Sequence, residues 1–378
     1  MTATYLDAAA TTRVDPRVAE VVLHWMTEEF GNAGSRTHEY GARAKKAVQR
    51  AREQIATQLG ASAGELIFTS GATESNNIAL LGLAPHGEKT GRRHIVSSAI
   101  EHKAVLEPLE ELERRGFEVE LVAPDEHGLV SAESVLERVR PDTLLVSLMH
   151  VNNETGVVQP VAELARALRE TPTYFHVDAA QGFAKLPEDL TSPIDLVSIS
   201  GHKIGAPKGV GALLTRRRRW DSIPLQPLMF GGGQERGLRP GTLPVPLIMG
   251  LAKAEELFRQ EHRQWRSGAE AFREELISAL ASTQYRVNGD AAHTVPHILN
   301  LTFEGVSSEA LIVRLQQVAA VATGSACTSA SYTPSHVLQA MGMSHEQAAN
   351  GLRLSWSPAQ VEGFDPEWLI EAVKQFQA

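Results

Sequence analysis

The apolar positions of this chain alternate between two periods. In "RAKKAVQRAREQIATQLG", Ala47, Val48, Ala51, Ile55 and Leu59 recur every three or four residues, which places them on one helical face, and Gly60 stands where such a helix would stop. "ELIF" is then a short apolar run that meets a Thr-Ser-Gly-Ala-Thr turn, and "ESNNIALLGL" returns to the helical period. "HIVSSAIEH", "FEVELVA", "TLLVSLMHVNNETG", "TYFHVDAAQG" and "DLVSISGHK" are apolar runs, most of them closing on polar residues. Helical segments such as "KAVLEPLEELERRG" and "VAELARALRE" separate them. Strands apolar almost throughout, alternating with helices, predict a mostly parallel sheet covered on both faces. Past about residue 250 the texture changes. "GLAKAEELFRQEHRQWRSGAEAFREELISALAS" predicts one long helix, and shorter strands and helices follow it, as in a second, smaller α+β unit.

In an open α/β sheet, ligands sit beyond the carboxyl ends of the strands. The predicted strands end in Thr69 to Thr73, Glu101-His102, Asn152-Asn153-Glu154, Asp178 with Gln181, and Ser200-Gly201-His202-Lys203. Any one of these can be an ordinary turn; Asp178 alone can be a helix cap and Lys203 a solvated loop residue. Together they describe a pocket holding an amine, an acid, an imidazole and hydroxyls. The Gly-Ala-Thr turn opens a helix, where backbone N–H groups suit a phosphate. No GxGxxG follows an early strand, so a dinucleotide is disfavoured. An amine, a carboxylate and a phosphate site are what pyridoxal 5'-phosphate requires. Lys203 is the candidate amine and Asp178 the candidate partner of the pyridine nitrogen.

Composition narrows the class without changing that picture. With 378 residues, 43% hydrophobic and 21% charged, the chain suits a soluble protein with one large domain and a smaller companion. It has no apolar stretch of about 18 residues, and "MTATYLDAAATT" lacks the basic start and apolar core of a secretory signal. The expectation is a cytoplasmic protein with no membrane contact. A net charge of -9 argues against direct nucleic-acid binding, and the short basic run Arg216 to Arg219 reads as a solvated turn. A single cysteine, Cys327, excludes an internal disulfide and an all-cysteine metal site. The 14 histidines show no HExxH spacing, so no metal is expected.

"YLDAAATT", "FGNAGS", "FTSGATESNN", "EHKAVL", "MHVNNETG", "HVDAAQ", "SGHKIGAPKGVGAL", "GGGQERGLRPGT", "TGSACTSAS" and "LRLS" follow one another along nearly the whole chain. This series resembles the pyridoxal-phosphate-dependent cysteine desulfurases of the class-V aminotransferase family, of the type with a long cysteine-bearing loop. The resemblance implies an aspartate aminotransferase-like fold: a large domain with a mostly parallel seven-stranded sheet flanked by helices, plus a small α+β domain. Residues 1–12 then form a segment packing on the small domain, 13–253 the large domain, and 254–378 the small domain carrying the cysteine loop. A homodimer is implied, with L-cysteine as substrate and a sulfur-acceptor protein as partner.

By the same resemblance Lys203 matches the Schiff-base lysine, and Asp178 the partner of the pyridine nitrogen. Gln181 matches the residue on the cofactor's phenolic oxygen, and His102 the imidazole over the ring, an acid/base group. Ala72, Thr73, Ser200 and His202 match phosphate-binding positions, and Thr242 the threonine contributed by the opposite subunit. Asn153 matches a group near cofactor and substrate. Arg353 matches the substrate-carboxylate site, a task its planar fork suits; Asn32 is a further substrate candidate. Cys327 matches the persulfide-forming nucleophile, which is expected to rest away from the cofactor and move for transfer, although "VAAVATG" predicts a strand running close to it.

Iron–sulfur-assembly members of the family extend beyond the point matching "WLIEAVKQFQA" and have serine where "RPGT" has proline. The texture is therefore closest to the desulfurases of bacterial DNA phosphorothioation, with iron–sulfur or other thio-modification as the other destination for the sulfur. A selenocysteine lyase, a cysteine sulfinate desulfinase and a sulfur carrier of negligible turnover remain alternative readings.

Overall fold

The computed structural model describes residues 3–323, 334–361 and 364–377. Seven strands, β1 (Leu66–Thr69), β2 (His94–Ser98), β3 (Glu118–Val122), β4 (Thr143–Met149), β5 (Tyr174–Asp178), β6 (Leu196–Ser200) and β7 (Gly211–Thr215), form one sheet in the order β1-β7-β6-β5-β4-β2-β3. Strands β6, β5, β4, β2 and β3 pair in parallel, and β7 is antiparallel to both its neighbours. The expected mostly parallel sheet is thus present, with one reversed strand.

Alternation explains why these runs are apolar on both sides. Along β4, Leu145 joins a cluster with Ile78 and Leu83 of the helix Ala72–Thr90 and with Val105 and Leu109 of the helix Lys103–Arg114. Its neighbours Val146 and Leu148 point the other way, into a cluster with Val48 and Ile55 of the helix Glu39–Gln58 and Leu164 of the helix Val161–Leu168. The helix Glu39–Gln58 buries Ala47, Val48, Ala51 and Ile55, the face its period predicts, and the chain leaves it through Gly60 at φ +63°.

A second apolar cluster surrounds a four-stranded antiparallel sheet ordered Ala322–Thr323, Gly351–Ser355, Ile298–Phe303, Tyr285–Val287. The expected long helix is Val245–Ala279, of 35 residues. Its first half gives Ile248, Leu251 and Leu257 to the larger core, and its second half gives Ala269, Phe272 and Leu276 to the smaller one.

The N-terminal segment straps the two parts together. Thr4–Tyr5 pairs in parallel with Ala319–Ala320, and Ala8 donates from its backbone to the Ser355 carbonyl. Further on, the Thr12 backbone and hydroxyl both donate to the His202 carbonyl. Among the described residues, no helix is long and apolar enough to cross a membrane.

Candidate active site

Parallel strands deliver their carboxyl ends to one edge, and a cleft of about 480 Å³ opens there. Its walls include Ala72, Thr73, His102, Asn153, Asp178 and Gln181. Ser200, His202, Lys203 and Arg353 complete the set. These ten come from separate turns of the large sheet and from one strand of the small sheet.

Lys203 stands in the turn that follows β6, and its ammonium donates to the carbonyls of Ala9 and Ala10. Gln181 donates to the same Ala9 carbonyl, at 2.8 Å, so the N-terminal strap organises both side chains. The other amide atom of Gln181, Oε1, is buried with no hydrogen-bond partner. Asp178 closes β5. Its carboxylate accepts from the Asn76 side chain at 2.7 Å and from the Ala180 backbone at 2.9 Å, which fixes its plane.

His102 caps the helix Lys103–Arg114. Its Nδ1 accepts from the Ala104 backbone N–H at 3.1 Å, so the neutral ring carries its proton on Nε2. Burial holds the His102 pKa below its ordinary value; Asp178 opposes that shift and Lys203 adds to it. His202 bonds Thr11 through Nδ1 at 3.1 Å, and burial beside Lys203 pushes its pKa down to about 4.

The Gly-Ala-Thr turn has the form an anion needs. The helix Ala72–Thr90 starts with no side-chain cap, which leaves first-turn N–H groups open at its end. Gly71 takes φ +152°, a backbone that favours glycine, and Gly211 of β7 packs so tightly that a Cβ there would stand 2.6 Å from the Gly71 Cα.

Arg353 is 2% exposed. Its two terminal nitrogens donate to the Asn153 carbonyl at 3.0 Å and to the Asp7 carboxylate at 2.7 Å, while Nε is buried without a partner. The guanidinium is therefore pre-oriented at the cleft wall.

Not every expected residue reaches this cleft. Asn32 is exposed, its side chain serves a local turn by accepting from the Gly34 backbone, and it does not line the cleft. Thr242 is exposed and does not line the cleft of its own chain. Cys327 lies outside the described residues. Three contributors escaped sequence reasoning: Asn76, Asp7 and the carbonyls of Ala9 and Ala10. Asn76 and Asp7 stand inside quoted motifs, where their spacing to Ala72 and Leu6 was the available signal; main-chain oxygens leave none. The one set of three potential metal ligands among the described residues, His94, Glu118 and Glu120, lies away from the cleft, and Arg140 pairs with both carboxylates.

The donor set fits pyridoxal phosphate. Open N–H groups with Thr73, Ser200 and His202 suit the phosphate, a fixed carboxylate suits the ring nitrogen, and the unsatisfied Gln181 Oε1 leaves a buried hydrogen-bond position. When bound, the cofactor supplies an aldehyde for an amine and a ring that accepts electrons as a substrate bond breaks.

Fold and site together define a pyridoxal-phosphate-dependent enzyme. The chain belongs to the family "Aminotransferase class-V", whose model matches residues 4–360. It is 48% identical over 352 residues to the cysteine desulfurase IscS of Anaeromyxobacter dehalogenans, covering 92% of this chain and 86% of that one. It is 44% identical over 375 residues to the IscS of Escherichia coli, covering 98% and 92%. Among solved structures, DndA from Streptomyces lividans matches with 66% identity and a TM-score of 0.83, over 94% of this chain and 99% of that one. SspA in complex with cysteine matches with 39% identity and a TM-score of 0.83, over the same shares. The resemblance to cysteine desulfurases stands.

Proposed function

We infer that this chain is a cysteine desulfurase that takes sulfur from L-cysteine, leaves L-alanine, and holds the sulfur as a persulfide on Cys327. The Cβ–S bond of the substrate breaks, an S–S bond forms to the Cys327 sulfur, and Cβ gains a proton, so atoms and electrons balance between the two products. The observation that carries the reading is the meeting of Lys203, Asp178, His102 and Arg353 around one cleft. Arg353 suits the substrate carboxylate, Lys203 and His102 the proton transfers, and Asp178 the charge of the ring nitrogen.

The 66% identity to DndA favours an acceptor protein of DNA phosphorothioation over an iron–sulfur scaffold. A homodimer belongs to the same reading, with Thr242 serving the neighbouring subunit's phosphate site. Its support is the exposure of Thr242, of Phe230 at 88%, and of Leu23, Met26 and Phe30. The two apolar clusters support two units, a cofactor-binding domain at 13–253 and a small domain at 254–378 with 1–12 as the strap, while Leu257, Val337, Leu338 and Met341 of the second range pack into the larger cluster. A thiol that must stay reduced to accept sulfur suits the cytoplasm.

The test is direct. Purified holoenzyme is given L-cysteine, alkylated and digested, and the peptide holding Cys327 is weighed. One added sulfur on that peptide, with an equal amount of alanine, is the expected result. Alanine formation at the wild-type rate by Cys327→Ser would remove Cys327 from the reaction.

A further inference from the structure

A second cavity, of about 430 Å³, also reaches Lys203. Lys185, His297, Ile204, Phe258, Trp265 and Trp356 line it. Two features set it apart from an ordinary apolar gap. Lys185 is only 5% exposed, yet its ammonium has no hydrogen-bond or ion-pair partner among the described residues. His297 is 1% exposed, and neither ring nitrogen has a partner.

The nearby acids are already taken. Arg17 holds both Asp15 and Glu261 in paired hydrogen bonds, leaving neither carboxylate to neutralise Lys185. A buried ammonium without a counter-charge is strongly disfavoured. Two states relieve that cost: a neutral amine, or an ammonium facing a bound anion. The walls decide what kind of anion fits. The Trp265 ring lies 4.9 Å from Phe258, tilted by 51°, and 5.0 Å from the edge-on His297 ring, so that aromatic faces and edges wall the space beside the two polar groups.

We propose that this cavity is a second ligand site, taking a small carboxylate with an aromatic or branched apolar body. The carboxylate pairs with Lys185 and accepts from the His297 ring, and the body lies among Phe258, Trp265 and Ile204. The site stands on these residues alone and does not depend on the desulfurase reading.

Proton linkage gives the site its signature. In the empty cavity, burial and the neighbouring Lys203 bring the Lys185 pKa down to about 7. At pH 8 the amine is mostly neutral and takes up a proton when the anion arrives; at pH 6 it already carries one. The charged groups around it are the cationic Arg13 and Arg17, Asp15 and Glu261, both held low by Arg17, and Lys203. His297 is pushed well below its ordinary pKa by burial, and His262 bonds the Lys185 carbonyl through Nε2 at 2.8 Å.

Benzoate titrated calorimetrically into the holoenzyme, in buffers of different ionisation heat, tests this. Expected are saturable binding with close to one proton taken up at pH 8, almost none at pH 6, and the same uptake in His262→Gln. Lys185→Met should weaken binding by about tenfold or more. Lys185→Arg should bind benzoate without proton uptake, since a guanidinium does not titrate in this range. No saturable binding, an affinity unchanged in Lys185→Met, or binding lost in Arg353→Gln, which would place benzoate in the front cleft, overturns the proposal. The wild-type linkage needs no variant, so a misfolded mutant does not shelter it.

Discussion

Replacing Glu101 by glutamine tests the electrostatics beneath the cleft. Glu101 follows β2 and is 0% exposed. Its Oε1 accepts from the Ser98 hydroxyl at 2.6 Å and the Met149 backbone at 2.9 Å, and Oε2 has no partner. Burial pushes its pKa up to about 8, while an exposed glutamate titrates near ~4.3. Between those two values the folded chain holds one more proton than the unfolded chain, so this group's contribution to stability falls as pH rises through that window. The slope is about 1.4 kcal/mol per pH unit, and from pH 5 to pH 8 the loss approaches about 4 kcal/mol. The amide of Glu101→Gln has the same shape and the same Oε1 acceptor, and it cannot ionise. The variant's stability relative to wild type should therefore rise steadily from pH 5 to pH 8 and level off above. Thermal melting of the matched pair in identical buffers reads this, because the difference between them cancels the other titrating groups. Two melting curves that run parallel across the whole range would refute a neutral Glu101.

Arg353→Lys keeps the charge and loses the planar fork that reaches Asn153 and Asp7. The KM for L-cysteine should rise roughly 10- to 100-fold with a smaller change in kcat, measured as alanine formation; an unchanged KM removes Arg353 from substrate binding. Gly211→Ala places a Cβ 2.3 Å from the Ile199 carbonyl oxygen and 2.6 Å from the Gly71 Cα. Overpacking of about 1–3 kcal/mol should lower the melting temperature, and the purified protein should retain less cofactor by its visible absorbance. Normal retention would mean that the anion turn tolerates displacement.

The edge of the sheet was legible because parallel strands leave a strong trace. Apolar runs such as "LLVSLM" end abruptly in polar residues, and common strand direction puts those endings side by side. His102, Asp178 and Lys203 therefore met where their positions in the pattern implied. The reversal of β7 was less visible, since a short apolar run between turns has no inherent direction. The strap was legible only as a motif. Its work is done by the carbonyls of Ala9 and Ala10 and the hydroxyls of Thr11 and Thr12, and backbone oxygens are common to all residues. Asn32 illustrates the opposite case: a residue type suited to ligand contact that closes its own turn instead. The neutral state of Glu101 and the lack of any partner for Lys185 among the described residues depend on what surrounds them in space, which no linear pattern records.

The helix Val245–Ala279 acts as a beam built into both walls of the molecule. A hinge made of loop would let the smaller lobe swing widely; a continuous helix permits only the shallow bend that its own hydrogen bonds tolerate. Access to the cleft must then come from peripheral segments rather than from a wide gaping of lobes. Severing the chain near residue 254 should yield no free-standing fragment, because Leu257, Val337, Leu338 and Met341 lie beyond the cut and yet fill the larger lobe's interior.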